Sequence, residues 1–340
     1  MQQDPTADAL LKLAAGGWIA QAIHVAAKLG LADLLNERHK TAEELAHETS
    51  SHPDALFRLL RTLASLGIFK QDIEGRFGLT PMAEYLRTSK QGSLRGYAVM
   101  LGEPWVWRAW GDAIHAIRTG ESGFTHAFGA PLFTYYAEHP EAHSVSVAGL
   151  TSRSAPENIA IADSYDFSGF KTVVDVGGGQ GTLLATILKR NINLQGLLFD
   201  MPHVVEMARP MLEREGLQAR CKLVPGNFFK AVPAGGDLYM LKRILHDWDD
   251  KNSREILMTC RAAMSAESVL IVLDAVVPVG NEPSFSKLQD LHMLVYAGGR
   301  ERTEEEHRSV LDSAGFRLRR IIPASPHISI IEACVQAGNS

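Results

Sequence analysis

One histidine stands where proton transfer could be done. The run Lys242-Arg-Ile-Leu-His-Asp-Trp-Asp-Asp follows an apolar stretch at 237–241 that reads as a strand. In open α/β sheets, ligands lie at the carboxyl ends of the strands, so His246 is expected beside a ligand crevice. An ordinary imidazole, with a pKa of about 6.5, can accept a proton near neutrality. A phenolic hydroxyl has a pKa of about 10 and becomes a far better nucleophile once deprotonated. General-base help of this kind is worth roughly 10²–10⁴-fold, and holding the oxygen in line with its electrophile supplies much of the remainder. Two carboxylates reach the same neighbourhood if the strand order is right: Asp274, after Val269–Leu273, and Glu301, in Gly298-Gly-Arg-Glu-Arg-Thr. Either could orient the imidazole and stabilise its protonated form. Taken singly, a histidine can be a packing residue, each carboxylate a surface charge, and Asp247-Trp248-Asp249-Asp250 a helix cap. Their joint placement is what points to chemistry.

A second constellation reads as a binding site. Thr172 to Val176 is β-branched except for Asp175 and runs into glycines at 177, 178, 179 and 181. Such a run suits a parallel strand covered on both faces. A carboxylate near its end is costly to bury without a partner, so Asp175 needs a reason. Glycines without Cβ atoms let a ligand approach the backbone. The dinucleotide fingerprint G-x-G-x-x-G requires a third glycine where this chain has Thr182, and no Gly-Lys-Ser/Thr loop is present. Asp200 ends the next apolar run, and an acidic residue at that place can accept hydrogen bonds from both ribose hydroxyls. The spacing therefore predicts a nucleoside site without a pyrophosphate, which S-adenosylmethionine fits. A plain tight turn of an α/β protein is the other reading of the glycines alone.

The elements that must position these residues follow from periodicity. Strands are expected near 172–176, 195–199, 221–224, 237–241 and 268–274, with helices near 182–190, 203–215 and 252–265. This alternation implies a parallel doubly wound sheet. Phe316–Ile322 and Ile328–Val335 are joined by a link too short for a helical crossover, so they should be antiparallel. Upstream, Ala9 to Leu35 has a helical pattern interrupted at Gly16-Gly17 and broken at Gly30. Its apolar face (Trp18, Ile19, Ile23, Ala26, Ala27) is either a dimer contact or a core face. Thr41-Ala-Glu-Glu opens like a capping box. A second helix at Ala55–Leu66 and two short strands around Glu74-Gly75 complete a winged helix-turn-helix pattern. Ser93–Thr119 is aromatic and helical. Gly120–Gly129 reads as a glycine-broken loop carrying Phe124, His126 and Phe128, and Leu132–Ala162 is again helical. Segments like these can line a pocket for a flat apolar ligand or simply pack. The expected division is a dimerisation domain at 1–100 and a catalytic domain at 101–340, with 101–165 as a helical linker and substrate region.

Composition narrows the class. The 340 residues carry 46% hydrophobic and 21% charged residues and a net charge of −5. Nothing in that balance marks a nucleic-acid or membrane surface. Three scattered cysteines without a C-x-x-C pair argue against a disulfide framework or zinc site, and for a reducing cytoplasm. The first residues lack the basic opening of a signal peptide, and no apolar run is long enough to span a bilayer.

Asp-Val-Gly-Gly-Gly-Gln-Gly, Phe199-Asp-Met-Pro-His, Gly226-Asn-Phe-Phe, Leu241-Lys-Arg-Ile-Leu-His-Asp-Trp and Gly-Gly-Arg-Glu-Arg-Thr occur in this order. Together they resemble the caffeic-acid-type small-molecule O-methyltransferases, especially their bacterial natural-product branch. The N-terminal half resembles that family's winged-helix dimerisation domain. The resemblance implies a class I methyltransferase (Rossmann-like) α/β sheet with a reversed C-terminal hairpin, behind an all-helical winged-helix dimerisation domain. It also implies a homodimer, S-adenosyl-L-methionine as cofactor, an aromatic small-molecule substrate, and no metal, nucleic acid or membrane partner. By position, His246 is then the base, with Asp274 and Glu301 as flanking acids. Asp175, Gly177, Gly179, Asp200, Met201, Asn227, Phe228 and Lys242 are cofactor contacts, and Asp247, Met293 and Tyr296 lie near the substrate. Two departures stand out: the family usually has Asp where this chain has Asn227, and its plant members usually have Glu where this chain has Asp274.

Three functions follow in order: O-methylation of an aromatic hydroxyl, another reaction in the same pocket such as N- or C-methylation, and a ligand-sensing DNA-binding protein. The acidic balance and the nearly neutral candidate recognition helix speak against the last.

Overall fold

The structure, a computed structural model, describes residues 5–336. Two compact units divide it. One comprises residues up to 108 together with 133–154; the other comprises 109–132 and everything from 155 on. The division is thus not at one point in the chain.

The first unit begins with helices Pro5–Ala14 and Gly16–Lys28 and a short turn of helix, Leu31–Leu34, after Gly30. Gly30 adopts a left-handed φ of 67°, which a glycine reaches without strain. The capping box at Thr41 forms: its hydroxyl accepts from the Glu44 backbone N–H, and the Glu44 side chain accepts from the Thr41 N–H. Helices Ala42–Thr49 and Pro53–Ser65 pack their apolar faces, including Leu45, Leu56, Leu60 and Leu63, into one core. The apolar face of the second helix is shared out: Ala26 and Ala27 enter this core, whereas Trp18 is 80% exposed. The unit is not all-helical. Strands β1 (Phe69–Gln71) and β2 (Phe77–Leu79) pair antiparallel, because alternation and the Glu74-Gly75 turn outweigh helix propensity there.

The second unit is built on a seven-stranded sheet. Its strands are β3 (Thr172–Val176), β4 (Gln195–Asp200), β5 (Cys221–Pro225), β6 (Leu238–Lys242), β7 (Val269–Asp274), β8 (Phe316–Ser325) and β9 (Ile328–Val335). They lie in the order β5-β4-β3-β6-β7-β9-β8. β9 runs antiparallel to both β7 and β8, and the remaining pairs are parallel. Alternate residues of one strand enter different cores: Val173, Leu238, Met240 and Ile271 one, Val174, Tyr239, Leu241 and Val272 the other. Both faces are covered, which explains the near-continuous apolar runs. β3 pairs with both β4 and β6, so the winding reverses beside it and opens a crevice at the carboxyl ends of β3 and β6.

Several elements differ from expectation. Gly120–Gly129 contains a helix, Gly123–Phe128, whose first turn is capped by Ser122 and whose end is closed by left-handed Gly129. The helix expected near 203–215 is broken into Pro202–Val205, a 3₁₀ turn at Glu206–Ala208, and Arg209–Arg214. Pro210, in the first turn of Arg209–Arg214, favours the break because it has no N–H to donate to the preceding turn. Helices Phe285–Tyr296 and Glu304–Ser313 were not anticipated, although Thr303 and Glu306 form a second capping box.

Candidate active site

The glycine turn is held by its own neighbours. The N–H groups of Gly177 and Gly178 donate to the Phe199 carbonyl at 2.8 and 3.3 Å, and Gly181 N–H donates to Gly178 O. Gly179 N–H donates to Asp200 Oδ2 at 2.8 Å, while Asp200 Oδ1 accepts from Met201 N–H at 2.7 Å. With these donors engaged, the four glycine N–H groups are not offered to a phosphate. Each Asp200 oxygen keeps a second lone pair for a hydroxyl donor. Burial raises the Asp200 pKa, which the two backbone bonds oppose. A Cβ on Gly178 would lie 2.4 Å from Leu198 and 2.6 Å from Asp175; one on Gly177 would lie 2.4 Å from Ile244. At Gly179 nothing stands within 4 Å, so the turn is open there.

Asp175 is fully buried beneath the turn, and its Oδ1 has no hydrogen-bond partner. Burial pushes its carboxyl up to about 7, against the pull of Lys242. Lys242 Nζ donates to Asn158 Oδ1 at 2.6 Å and lies 3.6 Å from Glu157; burial brings it down to about 8. Asn158 in turn donates to the Thr182 hydroxyl, linking the end of β6 to the helix after the turn. The Phe228 ring lies beside Gly177. Asn227 uses its amide oxygen to accept from Phe229 N–H, so that oxygen shapes its own turn. The cluster has an open turn, a hydroxyl acceptor and two buried carboxylates, which suits a cationic nucleoside.

The second cluster gathers residues far apart in the chain. His246 sits in a 3₁₀ turn, Leu245–Asp247, just past β6. Its Nδ1 lies 2.9 Å from Glu301 Oε1, and its Nε2 lies 3.4 Å from Asp247 Oδ1. The Glu301 bond places the neutral ring's proton on Nδ1 and leaves Nε2 as the basic nitrogen. Gln289 also donates to Glu301 Oε1, and Glu301 N–H donates to Asp290. Asp274 is buried nearby, but both its oxygens lack hydrogen-bond partners, so the side chain does not hydrogen-bond the imidazole. One methylene less than a glutamate is consistent with that gap.

The electrostatics are mixed. Burial disfavours charge on His246, but Asp247 and Glu301, with Asp274 beyond, raise its pKa to about 9. Burial lifts Asp247 to about 6 and Asp274 well above the ordinary carboxyl range. Burial also works against ionising Glu301, yet His246 and Arg243 hold it well below the ordinary range.

The loop is fixed by groups that carry no local sequence signal of that role. Arg302, 1% exposed, donates to the carbonyls of Leu245 and Trp248, to Asp250 and to the Ser253 hydroxyl. Arg300 N–H donates to the His246 carbonyl at 2.8 Å, and a Cβ on Gly299 would lie 2.0 Å from that oxygen. Gln289, Met293 and Tyr296 share one face of the Phe285–Tyr296 helix with His292, at spacings of three and four residues that were readable in advance. Met293 and Tyr296 are buried. The Trp110, His292 and Tyr296 rings form a continuous stack, and Phe124 meets Tyr296 edge-on at 5.5 Å. Among the described residues, no group of His, Cys, Asp and Glu side chains is arranged to hold a metal ion, and no single helix is long and apolar enough to cross a membrane.

A nucleoside turn and a carboxylate-paired histidine on this doubly wound sheet define a methyltransferase-type site. Residues 107–317 match the O-methyltransferase domain, and residues 11–89 match the O-methyltransferase dimerisation domain. The chain is 46% identical over 332 residues to the phenazine O-methyltransferase PhzM of Lysobacter antibioticus, covering 97% of this chain and 96% of the relative. It is 32% identical to the phenazine-1-carboxylate N-methyltransferase of Pseudomonas aeruginosa, over 92% of each chain. The crystal structure of the O-methyltransferase NcsB1 from neocarzinostatin biosynthesis, bound to S-adenosylmethionine and 2-hydroxy-5-methyl naphthoic acid, superposes with a TM-score of 0.80 at 32% identity, covering 93% of this chain and 96% of that one. The chain belongs to the O-methyltransferase family. It is an S-adenosylmethionine-dependent methyltransferase with a class I sheet.

Proposed function

We propose that the protein methylates a hydroxyl on an aromatic small molecule, phenolic or polycyclic, in natural-product biosynthesis, with His246 as general base. The observation that carries this reading is the buried His246–Glu301 hydrogen bond, which leaves Nε2 to take the substrate proton. When bound, S-adenosylmethionine supplies an electrophilic methyl group on a sulfonium. Asp200 would accept from its ribose hydroxyls, and Asp175, in its ionised form, would offer negative charge below the Gly177–Gly181 turn. Phe228 walls the site, while Asn227 can offer its NH₂ group to a purine acceptor.

The raised imidazole pKa has a chemical consequence. Taking a proton from a phenol of pKa about 10 is uphill by about 5 kcal/mol for an ordinary histidine, at about 1.4 kcal/mol per unit. With His246 near 9 the same transfer costs about 1.4 kcal/mol. The price is that little of the imidazole is neutral at pH 7, so activity should rise with pH towards 9. Glu301 holds the ring and stabilises the imidazolium that forms. Met293, Tyr296 and the Trp110–His292 stack supply the flat apolar surface an aromatic ring requires. Asp247 stands where it can meet the hydroxyl beside Nε2.

A second reading is N-methylation of an aromatic heterocycle, favoured by the activity named for the Pseudomonas relative. A ring nitrogen bearing a lone pair has no proton to remove, so this reaction would not need His246. A panel of phenols and nitrogen heterocycles, followed by mass spectrometry, separates the two. Methyl gain on phenols that disappears in His246→Ala supports O-methylation with a histidine base; undiminished turnover in that variant overturns the role of His246. We also read the protein as a cytoplasmic homodimer. The match of residues 11–89 and the 80% exposed Trp18 support the dimer, and the three free, buried cysteines suit a reducing compartment. Light scattering at several concentrations tests the dimer.

A further inference from the structure

We propose that Arg243 is a positioning residue for the proton transfer: its guanidinium steadies the Glu301 carboxylate behind His246 and offsets the negative charge crowded around the imidazole. The inference rests on the reading of His246 as base. Three observations carry it.

The backbone comes first. Arg243 has a φ of 55°, one of only two non-glycine residues with positive φ among the described residues; the other, Ser50, ends a helix. A left-handed conformation away from glycine is strained by roughly 1–3 kcal/mol and persists where the surroundings over-determine it. Here the backbone N–H extends the sheet by donating to Leu273 O at 3.1 Å, and the side chain is turned inward. Glycine would suit the backbone better, so the arginine side chain has a use.

The contacts come second. One guanidinium nitrogen, Nη2, donates to Glu157 Oε1 at 2.8 Å and to the His327 carbonyl at 2.7 Å. This ties β6 to the helix before β3 and to the turn between β8 and β9. The other nitrogen, Nη1, lies 3.6 Å from Glu301 Oε1, the oxygen that bonds His246.

The third observation is a set of buried polar atoms without hydrogen-bond partners. Arg243 Nη1, both oxygens of Asp274 and Glu301 Oε2 all belong to it. Unpaired buried polar groups are costly unless charge opposes charge. Three carboxylates, Asp247, Asp274 and Glu301, raise the affinity of His246 for its proton. Arg243 acts on all three and on Glu157, while the neighbouring Lys242 is engaged with Asn158 and Glu157. Arg302 also acts on Asp274 but is spent on the Leu245 and Trp248 carbonyls and Asp250; Arg243 is the cation placed against Glu301, without a hydrogen bond to the imidazole.

The test compares Arg243→Gln, Arg243→Gly and Arg243→Lys with the parent and with His246→Gln, by kcat/KM across neutral and alkaline pH. Cofactor affinity by calorimetry serves as the check on folding. Removing the positive charge strengthens the hold of the carboxylates on the imidazolium, so the alkaline midpoint should rise by about one pH unit in the Gln and Gly variants. Lysine keeps the charge but not the fork; its midpoint should stay in place while kcat falls several-fold. The glycine variant is relaxed at this φ and carries the test if glutamine does not fold. Equal activity loss without a shift in any variant, a downward shift, or a lysine midpoint that moves as far as the glutamine one overturns the proposal. So does loss of cofactor binding in both neutral variants, which would make Arg243 architectural. Full activity in His246→Gln removes the base itself, a failure separate from that of Arg243.

Discussion

The Gly177–Asp200 turn and the His246 cluster sit at neighbouring strand ends of one sheet, yet they are made differently. The turn is local: its hydrogen bonds join residues about twenty positions apart in one strand–helix–strand unit, and the N–H groups of its four glycines are satisfied before any ligand arrives. The cluster is assembled from residues 243–247, 274, 289 and 301, and it leaves several buried atoms unpaired. A site that must recognise a constant ligand can be built from backbone. A site that must move a proton needs side chains whose charges compete, and these must come from several elements.

Four substitutions would break or sharpen that contrast. The largest effect is expected at His246. His246→Ala should lower kcat by roughly 10²–10⁴-fold while leaving cofactor affinity within a few-fold, read by steady-state kinetics and calorimetry. Comparable loss of affinity would mean that the two regions are one. Glu301→Gln comes next. Removing the carboxylate that bonds Nδ1 should lower kcat by about tenfold or more and move the kcat/KM midpoint to lower pH; an unmoved profile would detach Glu301 from the imidazole.

On the other side of the comparison, Gly178→Ala should affect binding and stability rather than the pH profile. Its Cβ must displace Leu198 and Asp175 from 2.4 and 2.6 Å, an overpacking cost of about 1–3 kcal/mol. A lowered melting temperature and weakened cofactor binding with an unchanged pH midpoint are expected, and a fully stable variant would show that the turn is looser than it looks. Asp200→Asn should weaken cofactor binding by about tenfold, since a charged acceptor is replaced by a neutral one.

The smallest effect is on stability against pH. The His246 pKa is raised from 6.5 to about 9 in the folded protein. Its contribution to stability is therefore fully present below 6.5 and is lost as the pH rises through about 9. Melting temperatures of the parent and of His246→Gln should diverge most below neutrality and converge at alkaline pH. A gap that widens with rising pH would reverse the sign of that coupling.

By itself, the sequence determined what depends on neighbours in the chain. The glycine spacing, the capping box at Thr41, the five parallel strands and the reversed terminal pair were legible because period and turn chemistry are local properties. Local signals also misled where a contact at a distance or a single residue intervened. Gly120–Gly129 looked like loop, but Ser122 and Gly129 cap a short helix that packs on Ala109 and Val295. The N-terminal hairpin, by contrast, pairs where two short strands around Glu74-Gly75 are expected, so only the label all-helical fails there.

Only the tertiary structure decided how the acids share the histidine. Asp274 and Glu301 are equal candidates in the sequence; of the two, Glu301 alone hydrogen-bonds the ring, while Asp274 is buried without a hydrogen bond to it. Arg302 locks the loop and Arg243 faces Glu301, and neither carries a local mark of that task. The physical reason is that hydrogen bonds require approach within about 3 Å. Separations of 55 and 57 residues, as between His246 and Glu301 or Leu245 and Arg302, are closed by strand order and packing and not by any pattern along the chain.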